Sequence, residues 1–335
     1  MYQKTSTLFL YAMSPLHAGA GEGLTGIDLP IQREGQTKYP KIEASGIKGA
    51  LKESFKLNDK EIKIAGEKMI VNESKNGAYS HISLVFGPEV GDENASAIGF
   101  SDGRLLLFPV ASLKGTFAWV TCPMVLNQLL MDLNRMKPSA NYAWEGMNLL
   151  CPKLNSGIAW VDKSNTNLKL GSNIFLNEFP MDCLDSETNQ LHLTFQEGED
   201  SKKMTLGTWL KEQKVIDNEY FLNKLTQDIA IISDDDFRDF VEMKTEVITR
   251  IRIDSATGIV EDGALFTEEY LPAQSLLYNL VSFAPVFLPT NKKQGMKIQT
   301  AEDVESFFKQ GNRKYWQIGG NATLGKGMMH LQIID

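Results

Sequence analysis

The 335-residue sequence predicts a fold that mixes β-strands and α-helices, because segments of both periodicities recur along the chain. Strand-forming residues are concentrated at residues 5–13, 98–110 and 245–254, and the last of these segments alternates strictly. Apolar residues at helical spacing follow Ser45 and Pro123, which are both good residues for a helix start. A content of 42% hydrophobic residues is enough to bury a substantial core.

The composition excludes several classes of protein. A net charge of −8 argues against indiscriminate binding to nucleic acid, so any such role needs a local basic face. Cys122, Cys151 and Cys183 are far apart and form no zinc-ligand pattern with the few histidines, which indicates a reducing compartment. The apolar run at residues 8–13 is much shorter than a membrane span, so we expect a soluble, cytoplasmic protein with no membrane partner.

The first predicted strand, residues 5–13, leads directly into a glycine-rich loop at residues 14–34. Four glycines in this loop leave room for the backbone of a large ligand. The same loop carries His17, Asp28 and Arg33, so an imidazole, a carboxylate and a guanidinium lie within reach of such a ligand. A flexible surface loop is the alternative that this segment alone leaves open.

A helix is predicted next, at residues 45–56, with Ser45 as its N-cap. Lys48 lies in its first turn and Lys52 lies one turn later. A helix start with unpaired backbone N–H groups and a lysine is a phosphate site in principle. An ordinary solvated helix face is the alternative.

The middle of the chain carries fewer sequence signals than its end. The three aspartates at residues 234–236 are interpreted as a helix start, because three adjacent acids cannot all face one metal ion. Residues 245–272 are predicted to form a long projecting hairpin with Arg250 and Arg252 on one face. The other predicted elements are helices at 78–86, 123–134, 206–211, 220–232, 237–243 and 300–311, and strands at 117–121, 276–283 and 328–334.

Two short motifs resemble catalytic motifs and fail physical tests. Residues 320–326 fit a Walker A loop, but Gly327 removes the hydroxyl that holds Mg²⁺ and no helix follows. Ser45 and Lys48 match the Ser-x-x-Lys of penicillin-recognising acylases, whose other motifs are absent from the sequence. The glycine-bearing loops that remain suit a polyanion backbone held by main-chain N–H groups and a few cations. These loops are residues 19–26, 45–49 and 319–327.

Eight segments, in this order along the chain, resemble the RAMP-superfamily backbone subunits of type III-B CRISPR (Cmr) effector complexes. They cover both ends and leave mainly residues 138–235 unmatched. The segments are Ser14-Pro-Leu-His-Ala-Gly19, Gly26-Ile-Asp-Leu-Pro-Ile-Gln-Arg-Glu34, Pro40-Lys-Ile-Glu-Ala-Ser-Gly-Ile-Lys-Gly49, Phe86-Gly-Pro88, Asp102-Gly-Arg-Leu-Leu-Leu-Phe-Pro-Val110, Phe117-Ala-Trp-Val-Thr-Cys-Pro123, Gly263-Ala-Leu-Phe-Thr-Glu-Glu-Tyr-Leu-Pro272 and Gly319-Gly-Asn-Ala-Thr-Leu-Gly-Lys-Gly327.

The resemblance implies an α+β fold with an RRM-like (ferredoxin-like) RAMP core, a protruding thumb β-hairpin and a helical insertion. Residues 1–335 then form a single RAMP domain. Within it, residues 138–240 are the variable, helical insertion and residues 245–272 are the thumb. Such a thumb wedges into the guide–target duplex at regular intervals.

The resemblance also implies a guide-bound endoribonuclease that cuts complementary target RNA at regular intervals, once per copy. Asp28 matches the aspartate of the family's Gly-Ile-Asp-Leu-Pro motif, and His17, Glu268 and Tyr270 match positions implicated nearby. The implied partners are the CRISPR guide RNA, single-stranded target RNA, further copies of the chain in a helical filament and other Cmr subunits. The expected RNA contacts are Ser45, Lys48, Lys52, Arg33, Arg250, Arg252, Gly325 and Lys326.

The implied activity agrees with the chemistry of these residues. RNA is cleaved when its own 2′-OH attacks the adjacent phosphate, which needs in-line geometry, removal of a proton and neutralisation of charge. Asp28 can act as a general base or bind a divalent cation, Mg²⁺ or Mn²⁺. Because an ordinary aspartate has a pKa of about 3.9 and is a weak base, we favour the metal-binding role. His17 can exchange a proton or position a phosphate.

Two alternatives stay open at this point. One is a catalytically inactive, structural RNA-binding backbone subunit, and the other is the related backbone subunit of type III-A complexes. The segments at residues 118–123 and 268–272 favour type III-B. One departure from the family pattern is Ala111, where a basic residue is common.

Overall fold

The computed structural model describes residues 2–23, 26–73, 80–89, 94–162, 166–184, 191–197, 200–254, 256–293 and 296–335. The strands within these residues are β1 (Lys4–Ala12), β2 (Lys41–Ile42), β3 (Glu61–Ile64), β4 (Glu67–Ile70), β5 (Ile98–Phe100), β6 (Gly103–Ser112), β7 (Thr116–Thr121), β8 (Ala143–Glu145), β9 (Ile158–Val161), β10 (Asn173–Leu176), β11 (Phe179–Leu184), β12 (His192–Glu197), β13 (Asp200–Met204), β14 (Ile229–Ile232), β15 (Glu246–Ile253), β16 (Val260–Tyr270), β17 (Leu276–Phe283), β18 (Tyr315–Gln317) and β19 (Met328–Ile334).

The helices within the same residues are α1 (Ala44–Lys56), α2 (His81–Phe86), α3 (Pro123–Met136), α4 (Met147–Leu150), α5 (Leu206–Glu212), α6 (Glu219–Leu225), α7 (Asp234–Met243), α8 (Thr290–Lys293) and α9 (Ala301–Gly311). Short 3-10 turns lie at Pro138–Ala140, Cys151–Lys153 and Ala322–Leu324. None of the described helices has the length and apolar character of a membrane span.

An antiparallel unit of β19, β1, β17 and β6, adjacent in that order, forms the centre of the large sheet. Along the chain these strands occur with two helices as β1-α1-β6-β17-α9-β19. The fourth strand of this unit therefore pairs with the first, the first with the third and the third with the second, which is the ferredoxin-like βαββαβ arrangement. The predicted RRM-like core is confirmed.

β1 is buried along most of its length because the core covers both of its faces. On one face, a Cβ at Gly103 would touch both Leu10 of β1 and Ile47 of α1. On the other face, the ring of Phe9 packs edge-on against Trp209 of α5, with ring centroids 6.0 Å apart. A strand covered on both faces is apolar at successive positions, which explains why the sequence identifies it so readily.

The start of α1 differs from the prediction. The helix begins at Ala44 and its N-cap is Glu43, so Ser45 lies in the first turn and does not cap the helix. Asp102 satisfies the helix start instead, because its Oδ1 accepts from the backbone N–H of Ala44 at 2.9 Å. The prediction of Ser45 as N-cap is wrong because the capping side chain comes from 58 residues away.

Two other helix starts agree with the sequence. Pro123 is the first residue of α3. Thr300 forms the predicted capping box of α9 with Asp303. The predicted helix at 78–86 is observed from His81, after the cap residue Ser80. Its first two predicted residues lie outside the described part of the chain.

The segment at residues 138–240 contains strands as well as helices. β9, β10, β11 and β14 extend the large sheet beyond β7, whereas β8, β12 and β13 form a separate three-stranded sheet. The predicted helix at 220–232 is wrong in its second half, where β14 runs parallel to β7. All four residues of β14 are buried and apolar, so they carry no polar face from which a period can be identified.

β15 and β16 form a two-stranded sheet of their own. They pair from Glu246 opposite Tyr270 to Ile253 opposite Val260, so the predicted hairpin is present; residue 255 of its turn lies outside the described residues. The described side chains on the far part of this hairpin are exposed, whereas Glu268, Glu269 and Tyr270 at its base are buried. The base of the hairpin is where the glycine-rich loop joins it.

Candidate active site

The loop at residues 14–34 is fixed along the last residues of β16. Leu16 and Leu271 form an antiparallel bridge, and Leu29 and Glu268 form a parallel one. The backbone N–H of Leu29 donates to the carbonyl of Thr267 at 3.0 Å, and the N–H of Glu269 donates to the carbonyl of Leu29 at 3.0 Å. The predicted flexible-loop alternative therefore does not describe this segment, because main-chain bonds hold both of its halves.

Asp28 is exposed, and Thr267 holds its carboxylate in one orientation. Its Oδ2 accepts from the backbone N–H of Thr267 at 2.7 Å and from the Thr267 hydroxyl at 2.8 Å. The backbone N–H of Asp28 in turn donates to the Thr267 hydroxyl oxygen at 3.0 Å. These bonds, led by the backbone N–H of Thr267, lower the pKa of the Asp28 carboxyl, so the group is ionised and oriented while open to solvent.

Glu268 and Tyr270 form a buried cluster on the strand that carries Thr267. The Tyr270 hydroxyl donates to Oε2 of Glu268 at 2.6 Å, and Nε of Arg250 lies 2.9 Å from the same oxygen. The Asn321 amide donates to the other carboxylate oxygen and, at 3.0 Å, to the Tyr270 hydroxyl. Each oxygen of the Glu268 carboxylate therefore accepts from a neighbouring side chain.

The charges of this cluster shift two pKa values. Burial alone would raise the pKa of the Glu268 carboxyl, but the donors Tyr270 and Asn321 and the Arg250 guanidinium together hold that pKa below its ordinary range. Burial, and then the bond to Glu268, raises the pKa of the Tyr270 hydroxyl to about 12. Tyr270 is therefore a neutral hydrogen-bond donor, and Glu268 is a charged acceptor.

His17 lies against the same residues. Its Nδ1 is 2.8 Å from the carbonyl oxygen of Glu269, so Nδ1 carries a proton that it donates to that carbonyl. Its Nε2 lies 3.9 Å from Oε1 of Glu268, and its ring lies 5.6 Å from that of Tyr270. The structure thus brings three of the predicted residues together, with Nε2 of His17 as the ring nitrogen that can exchange a proton.

The Arg33 guanidinium is partly buried and bonded to other groups of the protein. It lies 2.5 Å from a carboxylate oxygen of Glu269, which is 2% exposed, and donates to the carbonyls of Lys38 and Val241. The other Glu269 oxygen accepts from the backbone N–H of Ile31 at 3.0 Å. Arg33 therefore fixes the loop to β16 and α7, and a contact with RNA stays a prediction.

The last glycine-rich segment packs directly on the first. The N–H of Gly320 donates to the carbonyl of His17 at 2.8 Å, and a Cβ at Gly319 would collide with that carbonyl oxygen. Nζ of Lys326 lies 4.6 Å from the centre of the Tyr270 ring. Gly325 is exposed in the left-handed region, at a φ of 72°. Two of the three predicted glycine loops therefore meet at His17.

The predicted basic residues differ in how far they are engaged. Lys48 is half-buried, and within the described residues no acidic or carbonyl partner is found for it. Its pKa is lowered, first by burial and then by the neighbouring charge of Lys52. Lys52 donates to the carbonyl of Gly87 at 2.8 Å and lies 3.3 Å from Glu89. Arg252 is exposed on β15, and Ser45 is exposed on the first turn of α1.

A divalent ion fits the donor set at Asp28 under one condition. Within the described ranges there is no group of three or more His, Cys, Asp or Glu side chains that could hold a metal. Mg²⁺ typically takes one or two protein carboxylates and completes its shell with water and substrate phosphate oxygens. The single exposed carboxylate of Asp28 matches that kind of site when RNA supplies the remaining oxygens.

Three organising residues were not identified from the sequence. They are Thr267, Glu269 and Asn321, which hold Asp28, Arg33 and Glu268 respectively. Thr267 and Glu269 alternate with the predicted Glu268 and Tyr270, so strand alternation placed them on the opposite face and offered a signal. Asn321 lies within the glycine-rich segment at residues 319–327 and gives no comparable signal.

Comparisons with known proteins identify the family of the chain. The model of the RAMP superfamily matches residues 9–330. The Cmr endoribonuclease Cmr4 of the CRISPR system of Pyrococcus furiosus is 34% identical over 326 residues, which are 97% of this chain and 94% of that relative.

Solved structures share the fold over nearly the whole chain. The crystal structure of oligomeric Cmr4 from Pyrococcus furiosus matches with a TM-score of 0.64 and 26% identity and covers 99% of this chain and 98% of that one. A chain of the type III-B Cmr-beta complex bound to cognate target RNA matches with a TM-score of 0.66 at 20% identity and covers 99% of this chain and 98% of that one. The chain therefore belongs to the RAMP superfamily and, within it, to the Cmr4 family.

Proposed function

We propose that the chain is a backbone subunit of a type III-B CRISPR effector complex, in which it holds guide RNA and cleaves complementary target RNA at Asp28. The observation that carries this proposal is the state of Asp28, an ionised and oriented carboxylate that is open to solvent. It lies at the base of a projecting hairpin whose far part is exposed. A substrate as large as an RNA strand can reach such a group.

The partners follow from the relatives. One relative bears the name of a Cmr endoribonuclease, one solved structure is an oligomer, and another is a complex bound to target RNA. For this chain we infer guide RNA, single-stranded target RNA, further copies in a helical filament and other Cmr subunits as partners. One Asp28 per copy then gives one cut per copy, at a regular spacing along the target.

The proposed cleavage starts with attack of a 2′-OH on the adjacent phosphorus. The 2′-OH loses its proton, the bond between phosphorus and the 5′ oxygen breaks, and the 5′ oxygen takes up a proton. The products are a 2′,3′-cyclic phosphate and a 5′-OH. The lowered pKa of Asp28 makes its carboxylate a poor base that is ionised at neutral pH, so Asp28 would instead hold a divalent cation, Mg²⁺ or Mn²⁺. When bound, such an ion supplies neutralisation of the phosphate charge.

The neighbouring residues have supporting roles. His17 keeps its Nδ1 proton on the carbonyl of Glu269, so its Nε2 is the atom that contacts a phosphate or takes a proton. Glu268 and Tyr270 fix the position of His17 and of the hairpin base. They act through position, because the Glu268 oxygens already accept from protein donors.

The experiment is cleavage of complementary RNA by the assembled complex carrying Asp28→Asn. Asp239→Asn is the matched control, because Asp239 is also exposed and pairs with Arg238 on the surface of α7. With Mg²⁺ or Mn²⁺ present, we expect Asp28→Asn to slow cleavage about a hundredfold or more. Guide RNA retention should be unchanged in both variants.

Two results would contradict this proposal. A ladder of products that persists with Asp28→Asn would show that the catalytic assignment is wrong. A wild-type complex that binds the target and never cuts it with either ion would establish the structural, non-cleaving subunit instead.

A further inference from the structure

A cavity of about 180 Å³ lies beside the start of the glycine-rich loop. A row of side chains across three adjacent strands forms its floor, because Tyr11 of β1 pairs with His330 of β19, which pairs with Tyr315 of β18. Met13, the residue before the loop, lines the same cavity, and so does Phe221 of α6. The cavity and the Asp28 loop therefore share one end of the sheet.

The cavity lies on the sheet face that RRM domains use for RNA. Tyr11 shares a face with Phe9, which packs against α5, so this face is opposite to the one that contacts α1. In an RRM, aromatic side chains on the sheet stack two or three bases. Here α3 packs on β1 and β6, and Trp209 of α5 packs on Phe9. The cavity is an opening at the edge of this face, where Tyr315 is 40% and Met13 47% exposed.

One buried polar group in the floor of the cavity is not fully hydrogen-bonded. His330 is 1% exposed, and its Nδ1 lies 3.0 Å from the carbonyl of Val215. Burial lowers the pKa of His330, so the ring is neutral and donates its Nδ1 proton to that carbonyl. Its Nε2 is buried, and in the described part of the chain it has no hydrogen-bond partner. That nitrogen can accept one hydrogen bond.

Two carboxamides and a carboxylate complete the polar lining. Asp217 accepts from the Tyr315 hydroxyl and lies 2.6 Å from Nζ of Lys314. The side-chain oxygen of Gln274 accepts from the Tyr11 hydroxyl, and that of Asn218 accepts from the N–H of Phe221 at 3.2 Å. Within the described residues no acceptor is found for either amide NH₂ group, so each can donate. The lining thus combines aromatic walls with amide donors and the acceptor oxygens of Asp217, which matches the edge of a pyrimidine base, where carbonyl acceptors flank an N–H.

We propose that this cavity binds one unstacked nucleobase of the single-stranded RNA that passes the Asp28 loop. The base stacks against Tyr315 or Phe221 above the buried His330, and its edge meets Gln274, Asn218 and Asp217. This inference rests on the proposed RNA-binding function and adds a binding site to it. It assigns a role to a surface that is separate from Asp28, Glu268 and the hairpin.

The test is photocrosslinking of the full chain to a short oligouridylate that contains 4-thiouridine, with the crosslinked peptides identified by mass spectrometry. We expect crosslinks at Tyr315, Phe221 or Met13. Tyr315→Leu should lower crosslinking there about tenfold, since it removes the aromatic surface and keeps an apolar side chain. Tyr220→Leu is the matched control, because Tyr220 is an exposed aromatic of the same helix as Phe221 and does not line the cavity. Met13→Trp, which narrows the opening, should lower crosslinking as Tyr315→Leu does.

The outcomes separate this site from the function on which it rests. If the wild-type chain retains RNA but its crosslinks map elsewhere, only the cavity assignment is overturned. The same holds if Tyr315→Leu and Met13→Trp crosslink as strongly as Tyr220→Leu. If the wild-type chain retains no RNA at all, both the cavity assignment and the proposed function are overturned.

Discussion

Asp28, which Thr267 holds, and Glu268, the residue after Thr267, have carboxylates with different surroundings. Asp28 is exposed, and the described protein donors to its side chain come from one residue, Thr267. Glu268 is 4% exposed, and its oxygens meet Tyr270, Asn321 and Arg250. Charge alone therefore does not distinguish a reactive acid from a structural one. The distinction lies in how many protein donors already occupy the oxygens and in whether a substrate can approach them.

The largest expected effect on stability comes from the buried member of this pair. Glu268→Gln keeps the shape of the side chain but removes the charge that Arg250 and Tyr270 meet, so we expect the free energy of unfolding to fall by about 2 kcal/mol. Asp28→Asn should lower the free energy of unfolding less, because Asp28 is exposed and an amide oxygen can still accept from Thr267. Urea titration of both variants measures the difference. Equal stability of the two variants would show that burial does not separate the roles of these acids.

The next effect concerns the support of Asp28. Thr267→Val removes the hydroxyl that contacts Asp28 and keeps the shape and the backbone N–H, so we expect target cleavage about tenfold slower, with guide retention unchanged. The pKa of Asp28 should rise towards its ordinary value, which NMR titration of the carboxyl can measure. Thr267→Ser restores the hydroxyl and should restore both quantities. A Thr267→Val complex that cuts at the wild-type rate would remove Thr267 from the site.

These contacts also show how far the sequence can predict the molecule. The strand β1 and the capping box of α9 depend on neighbouring residues, so periodicity and spacing identify them. The cap that Asp102 gives to α1 and the bonds from Thr267 to Asp28 join residues 58 and 239 positions apart. No local pattern specifies such pairs. The resemblance to a known family identified Asp28, but the residues that hold it became visible only in the fold.

Acid should reduce the stability difference between the wild type and Glu268→Gln. The pKa of the Glu268 carboxyl is lowered in the folded protein, so its contribution to stability is complete above the unfolded value of about 4.3. That contribution disappears as the pH falls from about 4.3 through the lower folded value. Urea unfolding of both proteins at a series of pH values from about 7 down to 3 measures it. A difference that stays constant over this range would mean that the charge of Glu268 is not what stabilises the cluster.

The smallest effect distinguishes two lysines of one helix. Lys48 has no acidic partner in the described residues, whereas Lys52 is held by the carbonyl of Gly87 and by Glu89, so Lys48 is the one available to a phosphate. Lys48→Ala should weaken retention of guide RNA and lower the slope of log affinity against log salt by about 0.7, the value for one lost phosphate contact on a single strand. Lys52→Ala should change that slope less, because its charge is already partly neutralised by Glu89. If both variants keep the wild-type slope in the salt titration, the guide lies away from the start of α1. If both variants lower the slope equally, the ion pair between Lys52 and Glu89 opens when RNA binds.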